Sequence, residues 1–383
     1  MPNSESSGVA RVLIVGGGVA GVEAMLACRD LLGERAEIVI AAPRRDFVYK
    51  PFSVAEPFGS ARVERFDLER VAEDRGARFQ LGSVGRIDGA QRQAHLHDGG
   101  PPLDYDYLVI AAGVQLLWPF PGASTFWGVS DEADIQGVLN GAKQGAYRRI
   151  AFTVPGGHSW ALPLYELALQ TRTELDKAKV PDAEVLVVTP EEAPLQVFGR
   201  GASAGLSELL AASEIEVIAG AHPVRFQDGT LEVVPSRWIS ADAVVSMPRL
   251  EGRKIEGVPC DESGFVPTDD HGRILGLERG FAIGDITTFP VKQGGIATQQ
   301  ADLVAESIAA DLGLGPQPAR FDPVLRGVLW TGGKPRYLYG QIGGGHGENS
   351  GMSEEAPWPD HGAKIIGRYI TPYLAEATEA ATR

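Results

Sequence analysis

The sequence predicts an α/β fold: two Rossmann-like units of parallel strands and covering helices, the second inserted in the first, followed by a small C-terminal module. Three observations predict it. Arg11–Gly21 reads RVLIVGGGVAG, an apolar run that ends in Gly16, Gly18 and Gly21 and passes into the helical pattern VEAMLACRDLL. Strands and helices alternate to about Leu117 and again from Arg149 to Ser246. FAIGD at Phe281–Asp285, with a helical pattern over Ile296–Asp311, then resumes the first unit. Such alternation specifies parallel sheets, because parallel neighbours need a crossover connection. The boundaries expected are residues 1–117 and 264–316 for the first domain, 118–263 for the inserted one and 317–383 for the C-terminal module.

The opening segment is a buried strand, a glycine turn and a helix entry. Gly16 allows the tight turn, Gly18 a close approach of backbone to ligand, and Gly21 the packing of helix on sheet, so bare N–H groups face a pyrophosphate. Tyr105–Gly113, YDYLVIAAG, is a strand ending in small residues, with Ala112 and Gly113 leaving room for a dinucleotide. In FAIGD, Gly284 and Asp285 end a strand where a carboxylate can accept from a ribityl hydroxyl. The helix that follows, entered at Gly295, turns its positive end toward the flavin O2 edge. An NAD-only domain needs no such downstream turn, so the cofactor expected is FAD.

Composition sets outer limits. The chain has 383 residues, 44% hydrophobic and 22% charged, enough for two full cores. A net charge of −15 argues against nucleic acid and against docking on anionic lipid. No run reaches the roughly 18 apolar residues of a membrane span, and MPNSESSGVA lacks a signal-peptide core, so a cytoplasmic location is expected. Cys28 and Cys260 form neither a CxxC nor a disulfide framework, and the histidines His95, His97 and His271 have no metal-ligand company.

With these motifs the chain resembles the two-dinucleotide-domain flavoprotein superfamily of pyridine nucleotide-disulfide oxidoreductase type. Within it, it is similar to the branch of sulfide:quinone reductases, flavocytochrome c sulfide dehydrogenases and type II NADH dehydrogenases. The resemblance runs from residue 10 to about 320 and rests also on FVYKP (Phe47–Pro51), PGGHSWALPLYELAL (Pro155–Leu169), VLVVTPEEAPL (Val185–Leu195) and VKQGGIATQQADLVAESIA (Val291–Ala309).

Three departures from the pattern matter. Ala42 stands where the resemblance implies an acid for the adenosine ribose, a loss worth about 1.5–3 kcal/mol, with Arg44 or Arg45 as substitute contacts on the phosphate side. The turn VPGGHSWALPLYE of the inserted unit carries Gly156 and Gly157 but no third glycine, and Glu191 and Glu192 read as a solvated pair, so NAD(P)H is disfavoured. The redox cysteines of the sulfide oxidisers are missing; Trp160 stands near the place of one, Cys28 reads as a core side chain, and Cys260 lies in an acidic turn.

The function expected is an FAD-dependent oxidoreductase passing electrons between a small-molecule donor and a quinone or protein acceptor, without persulfide chemistry. The alternatives are an NAD(P)H-dependent flavin reductase and a catalytically silent flavin-binding partner protein. Lys292 is the candidate to hold negative charge at the flavin, His158 the candidate acid or base, and Trp160 a pocket wall. Gln293 is set to bind a substrate carbonyl, Gln299 matches one glutamine of a quinone-side motif, and Tyr49 and Phe52 either cover the flavin or pack in the core. His346 and His361 lie in loops that could close over substrate. The stripe of apolar residues in KIIGRYITPYL, broken by Pro372, reads as a packing or homodimer face rather than a membrane anchor.

Overall fold

The computed structural model describes residues 9–128, 131–235, 237–341, 350–359 and 363–382. Two five-stranded sheets organise them. The first has the order Gly280–Ala282, Tyr107–Ile110, Ala10–Val15, Ala36–Ala42, Arg78–Leu81, all neighbours parallel. Its outermost strand therefore comes from beyond the second sheet, which is the insertion. The second sheet runs Ser124–Thr125, Ala243–Ser246, Arg149–Thr153, Glu184–Val188, Ile215–Ile218, again parallel throughout. The chain crosses between the two on Val114–Leu117 and returns on Arg249–Gly252, paired antiparallel.

Small residues bring the first unit's helices close. The helix Val19–Leu32 is buried at Ala20, Gly21, Ala24 and Ala27, and the helix Gly294–Asp311 answers with Ala297, Ala301, Ala305 and Ala309 at four-residue spacing. A helix so apolar around its circumference must be covered on several sides. The sheet covers one side, the second helix another, and the C-terminal helix Ile370–Thr382 adds Ile370, Tyr373 and Leu374 to the same core.

In the inserted unit the helix Leu162–Lys177 lies between its sheet and a C-terminal three-stranded antiparallel sheet, Val324–Leu329, Arg336–Gln341 and Gly351–Ser353. The small sheet also closes on the helix Arg200–Ala212, where a Cβ on Gly201 would lie 2.3 Å from the Ser350 carbonyl oxygen. A second antiparallel sheet, His222–Gln227, Thr230–Val234 and Arg237–Ser240, shields the other face of the inserted sheet.

FVYKP ends a strand, Asp46–Tyr49, which is paired with Glu64–Asp67 and runs into a 3-10 helix Lys50–Phe58. One expectation is corrected. Pro372 does not break the C-terminal stripe, because the helix starts at Ile370 and a proline in the first turn lacks only an N–H that has no helical partner there. No helix among the described residues is long and apolar enough to cross a membrane.

Candidate functional site

The glycine turn closes hard on the first sheet. Gly16 sits at φ +123°, and a Cβ there would lie 2.1 Å from the Ala111 carbonyl oxygen. A Cβ on Gly21 would lie 1.8 Å from the Gly16 carbonyl oxygen, so the helix leaves the sheet at closest approach. Gly18 differs: nothing lies within 4 Å of where its Cβ would be, and it starts the helix with no side-chain cap. The N–H groups of that helix entry thus face open space of the kind a pyrophosphate fills. Ala111 N–H closes on the Val15 carbonyl oxygen at 2.8 Å. Just beyond it, Gly113 turns at φ +65° with nothing near its missing Cβ.

Gly284 and Asp285 arrive beside this turn. Gly284 has φ +75°, its missing Cβ leaves 3.0 Å to the Ala20 methyl, and its N–H donates to Gln300 Oε1 at 2.6 Å. Gln300, one residue from the glutamine singled out in the sequence, thereby holds the turn from the helix above it. The Asp285 carboxylate receives no hydrogen bond from the described residues. Burial raises its pKa, and Lys292 and Lys50 oppose that rise. A half-buried acceptor left for a partner outside the chain is what a ribityl hydroxyl requires. Together with the open Gly18 cradle, it makes these residues fit an FAD. Ala42 is buried and carries no side-chain acceptor. Arg45 is paired with Glu69.

Lys292 lies away from solvent. It is 2% exposed, donates to the Thr287 carbonyl oxygen, and its Nζ lies 3.9 Å from the Phe265 ring centroid. Burial lowers its pKa to about 8, against Asp285 and Asp261. His158 stacks on the same Phe265, centroids 4.6 Å apart and planes at 21°. Burial, then Lys292, lowers the His158 pKa, and Asp261 opposes them. Lysine and imidazole thus share one aromatic support.

Trp160 goes elsewhere: its ring packs on Phe198 at 6.0 Å and joins the inserted unit's core. Gln293 is engaged within the chain, accepting from Ile296 N–H at 2.9 Å and donating to the Arg326 carbonyl oxygen at 3.0 Å. Its Oε1 lies 3.0 Å from where a Gly295 Cβ would be, so only a small residue follows that cap comfortably. Gln299 grips Val324 through both ends of its amide, each bond 2.9 Å. His346 and His361 lie outside the described residues.

A family model for pyridine nucleotide-disulphide oxidoreductases matches residues 10–303. The chain belongs to the pyridine nucleotide-disulphide oxidoreductase family. By that membership it is an oxidoreductase. Among solved structures it is similar to the sulfide:quinone oxidoreductase of Aquifex aeolicus, with TM-score 0.79 and 19% identity over 97% of this chain and 90% of that one. The NDH2 of Plasmodium falciparum, solved in complex with NADH, gives 0.69 and 12% over 97% and 94%. A mitochondrial sulfide:quinone oxidoreductase of Dictyostelium discoideum is 29% identical over 113 residues, a stretch that spans 29% of this chain and 24% of that protein.

The family name directs attention to the second crevice, in the inserted unit. There Gly157 turns at φ +89° with its missing Cβ 3.3 Å from Arg249 Cδ, and Gly156 abuts His222. Glu191 is not part of a solvated acidic pair. Its carboxylate accepts from the Tyr165 hydroxyl at 2.7 Å and from Thr189 Oγ1 at 3.1 Å. Burial raises its pKa, and these hydrogen bonds oppose the rise. Only Glu192 is exposed.

One constellation escaped sequence reasoning. Glu166, on the helix Leu162–Lys177, is fully buried and pairs with buried Lys364 at 2.5 Å, while Trp330 N–H donates to the same oxygen at 2.8 Å. Its other oxygen, Oε2, is buried without a partner. Trp330 stacks on Phe52 at 5.6 Å, Phe52 meets Tyr49 at 5.2 Å, and the Tyr49 hydroxyl accepts from Ile365 N–H at 2.9 Å. Tyr49 and Phe52 therefore do pack, against the C-terminal segment. An acid on the apolar face of LPLYELAL is the signal that could have found Glu166, because an ionisable group in a core needs a partner from elsewhere.

Proposed function

We propose that the chain binds FAD non-covalently in the first crevice and passes electrons from a small-molecule donor to a quinone or protein acceptor, using neither pyridine nucleotide nor persulfide chemistry. The Asp285 carboxylate carries this reading: half-buried, flanked by Lys292 and Lys50, and left unbonded by its own chain beside an open glycine cradle. Gly16, Gly18, Gly21, Ala112 and Gly113 would hold the dinucleotide, with Gly284, Asp285 and Gly295 on the ring side.

Bound flavin supplies the two-electron chemistry; the residues present set charge and protons. Lys292, held in place by the Thr287 carbonyl and Phe265, presents an ammonium that neutralises negative charge formed near it. His158, exposed and fixed by its stack on Phe265, is the group placed to take or give a proton at the donor. Burial pushes Glu166 and Lys364 toward their neutral forms, and the two hold one proton between them at the Lys364 Nζ–Glu166 Oε1 contact. Thiol chemistry finds little support, since burial pushes the Cys28 thiol up to about 12. The engaged Glu191 supports the exclusion of pyridine nucleotide.

Anaerobic reduction of the purified yellow protein by a donor panel tests this reading. Bleaching by a small donor, with the Cys28→Ser, Cys260→Ser double variant unchanged, is the expected result. Rapid bleaching by NADH or NADPH would make the protein a pyridine-nucleotide-dependent reductase, and no bleaching by any donor would favour a silent flavin-binding partner.

A further inference from the structure

The C-terminal segment 364–370 stitches the site together, and a pair of acids holds it there. Lys364 reaches Glu166 of the inserted unit, Ile365 N–H reaches Tyr49, and the Ile366 carbonyl accepts from Thr298 Oγ1 at 3.3 Å. A Cβ on Gly294 would lie 2.3 Å from Ile365 Cδ1, so this segment also seats against the helix entry on the ring side.

Its far end is fastened by Glu23. That side chain is fully buried on the helix Val19–Leu32 and accepts from Tyr369 N–H at 3.0 Å and Ile370 N–H at 2.5 Å. It thereby caps the helix Ile370–Thr382, whose own first N–H groups have no helical acceptor. The fit is close, because a Cβ on Gly367 would lie 2.9 Å from Glu23 Oε2. Within hydrogen-bond reach of Glu23, on the helix Gly294–Asp311, stands half-buried Asp302, whose Oδ1 is buried with no hydrogen-bond partner. Two carboxyls in contact, one of them fully buried, cannot both be ionised cheaply.

We propose that Glu23 and Asp302 share one proton, and that this acid pair is a latch: with the proton it docks the C-terminal helix and positions Lys364 and Ile365, and without it the segment loosens. Of the charged groups facing the pair, Glu306, on the same helix as Asp302, adds repulsion and favours the shared proton, while Arg368, at 3.4 Å from Glu306, opposes it. Asp30 is occupied by the Tyr369 hydroxyl at 3.1 Å. Burial and Glu23 raise the Asp302 pKa to about 8, with Arg368 opposing. A carboxyl raised in the docked state stabilises docking at low pH and loses that contribution as pH rises through the raised value. Release on the alkaline side follows. The latch stands on contacts within the chain and does not depend on which donor the site takes.

Hydrogen exchange of the full-length protein from pH 6 to 9, corrected for intrinsic exchange rates, tests it. Protection of the Ile365, Tyr369 and Ile370 amides should fall about tenfold or more between pH 7 and 9, while amides of the strand Glu184–Val188 hold theirs. Asp302→Asn, which offers Glu23 a permanent donor, should keep the segment protected and abolish the pH step; Arg368→Gln should move the step to higher pH. A wild-type profile flat with pH, or an Asp302→Asn profile that keeps the step, would overturn the latch.

Discussion

The two nucleotide-type crevices share a topology and differ in what they leave unclaimed. In the first, the Gly18 cradle is open and the Asp285 carboxylate has no bond from the chain. In the second, the Arg249 side chain lies close over Gly157, and Tyr165 and Thr189 take up the acid at the strand end. A parallel sheet with a helix entry is thus only a frame; ligand binding is decided by which polar groups the chain leaves for a partner. Breaking the first crevice and opening the second are the two ways to probe that difference.

The largest effect belongs to Gly21→Ala. Its Cβ would sit 1.8 Å from the Gly16 carbonyl oxygen, backbone that cannot step aside. The variant should lose flavin altogether and fall in melting temperature, read by absorbance and thermal unfolding. Asp285→Ala comes next: without the carboxylate, flavin affinity should fall roughly ten- to a hundredfold, measured by dialysis and fluorescence of released FAD.

Lys292→Met sharpens the comparison through pH. The Lys292 ammonium is lost as pH rises through its lowered value of about 8. The rate of flavin reduction by an active donor should therefore decline on the alkaline side in the wild type. In the variant that decline should be absent and the rate low throughout. Tyr165→Phe has the smallest effect. It frees Glu191 of its shortest hydrogen bond, and reduction by NADH should stay slow, because Arg249 still lies over Gly157.

Much of the frame was legible in the sequence because it depends on local pattern. Gly16 and Gly284 need positive φ and Gly21 a close backbone approach, and apolar runs with turn residues locate the strands to within a residue or two. Lys292 and His158 were legible as candidates, but their common support, Phe265, comes from a distant turn and carries no local mark. Glu166, Lys364, Glu23 and Asp302 were not legible. Each is an ionisable residue in an ordinary helical or loop context, and only tertiary packing buries it against a partner far along the chain. Trp160 was read from its position in the glycine loop, and its half-buried ring packs against the core beside Phe198, a distant residue with no local mark. The small C-terminal sheet was likewise hidden, since its short strands are rich in glycine and aromatic residues that also suit loops.

Equilibrium dialysis of the apoprotein against FAD and NADH together, with both nucleotides counted per chain, tests the contrast between the crevices most directly. One FAD bound per chain and no NADH at sub-millimolar concentration is the result expected. Stoichiometric NADH binding, or failure to take up FAD, would contradict it.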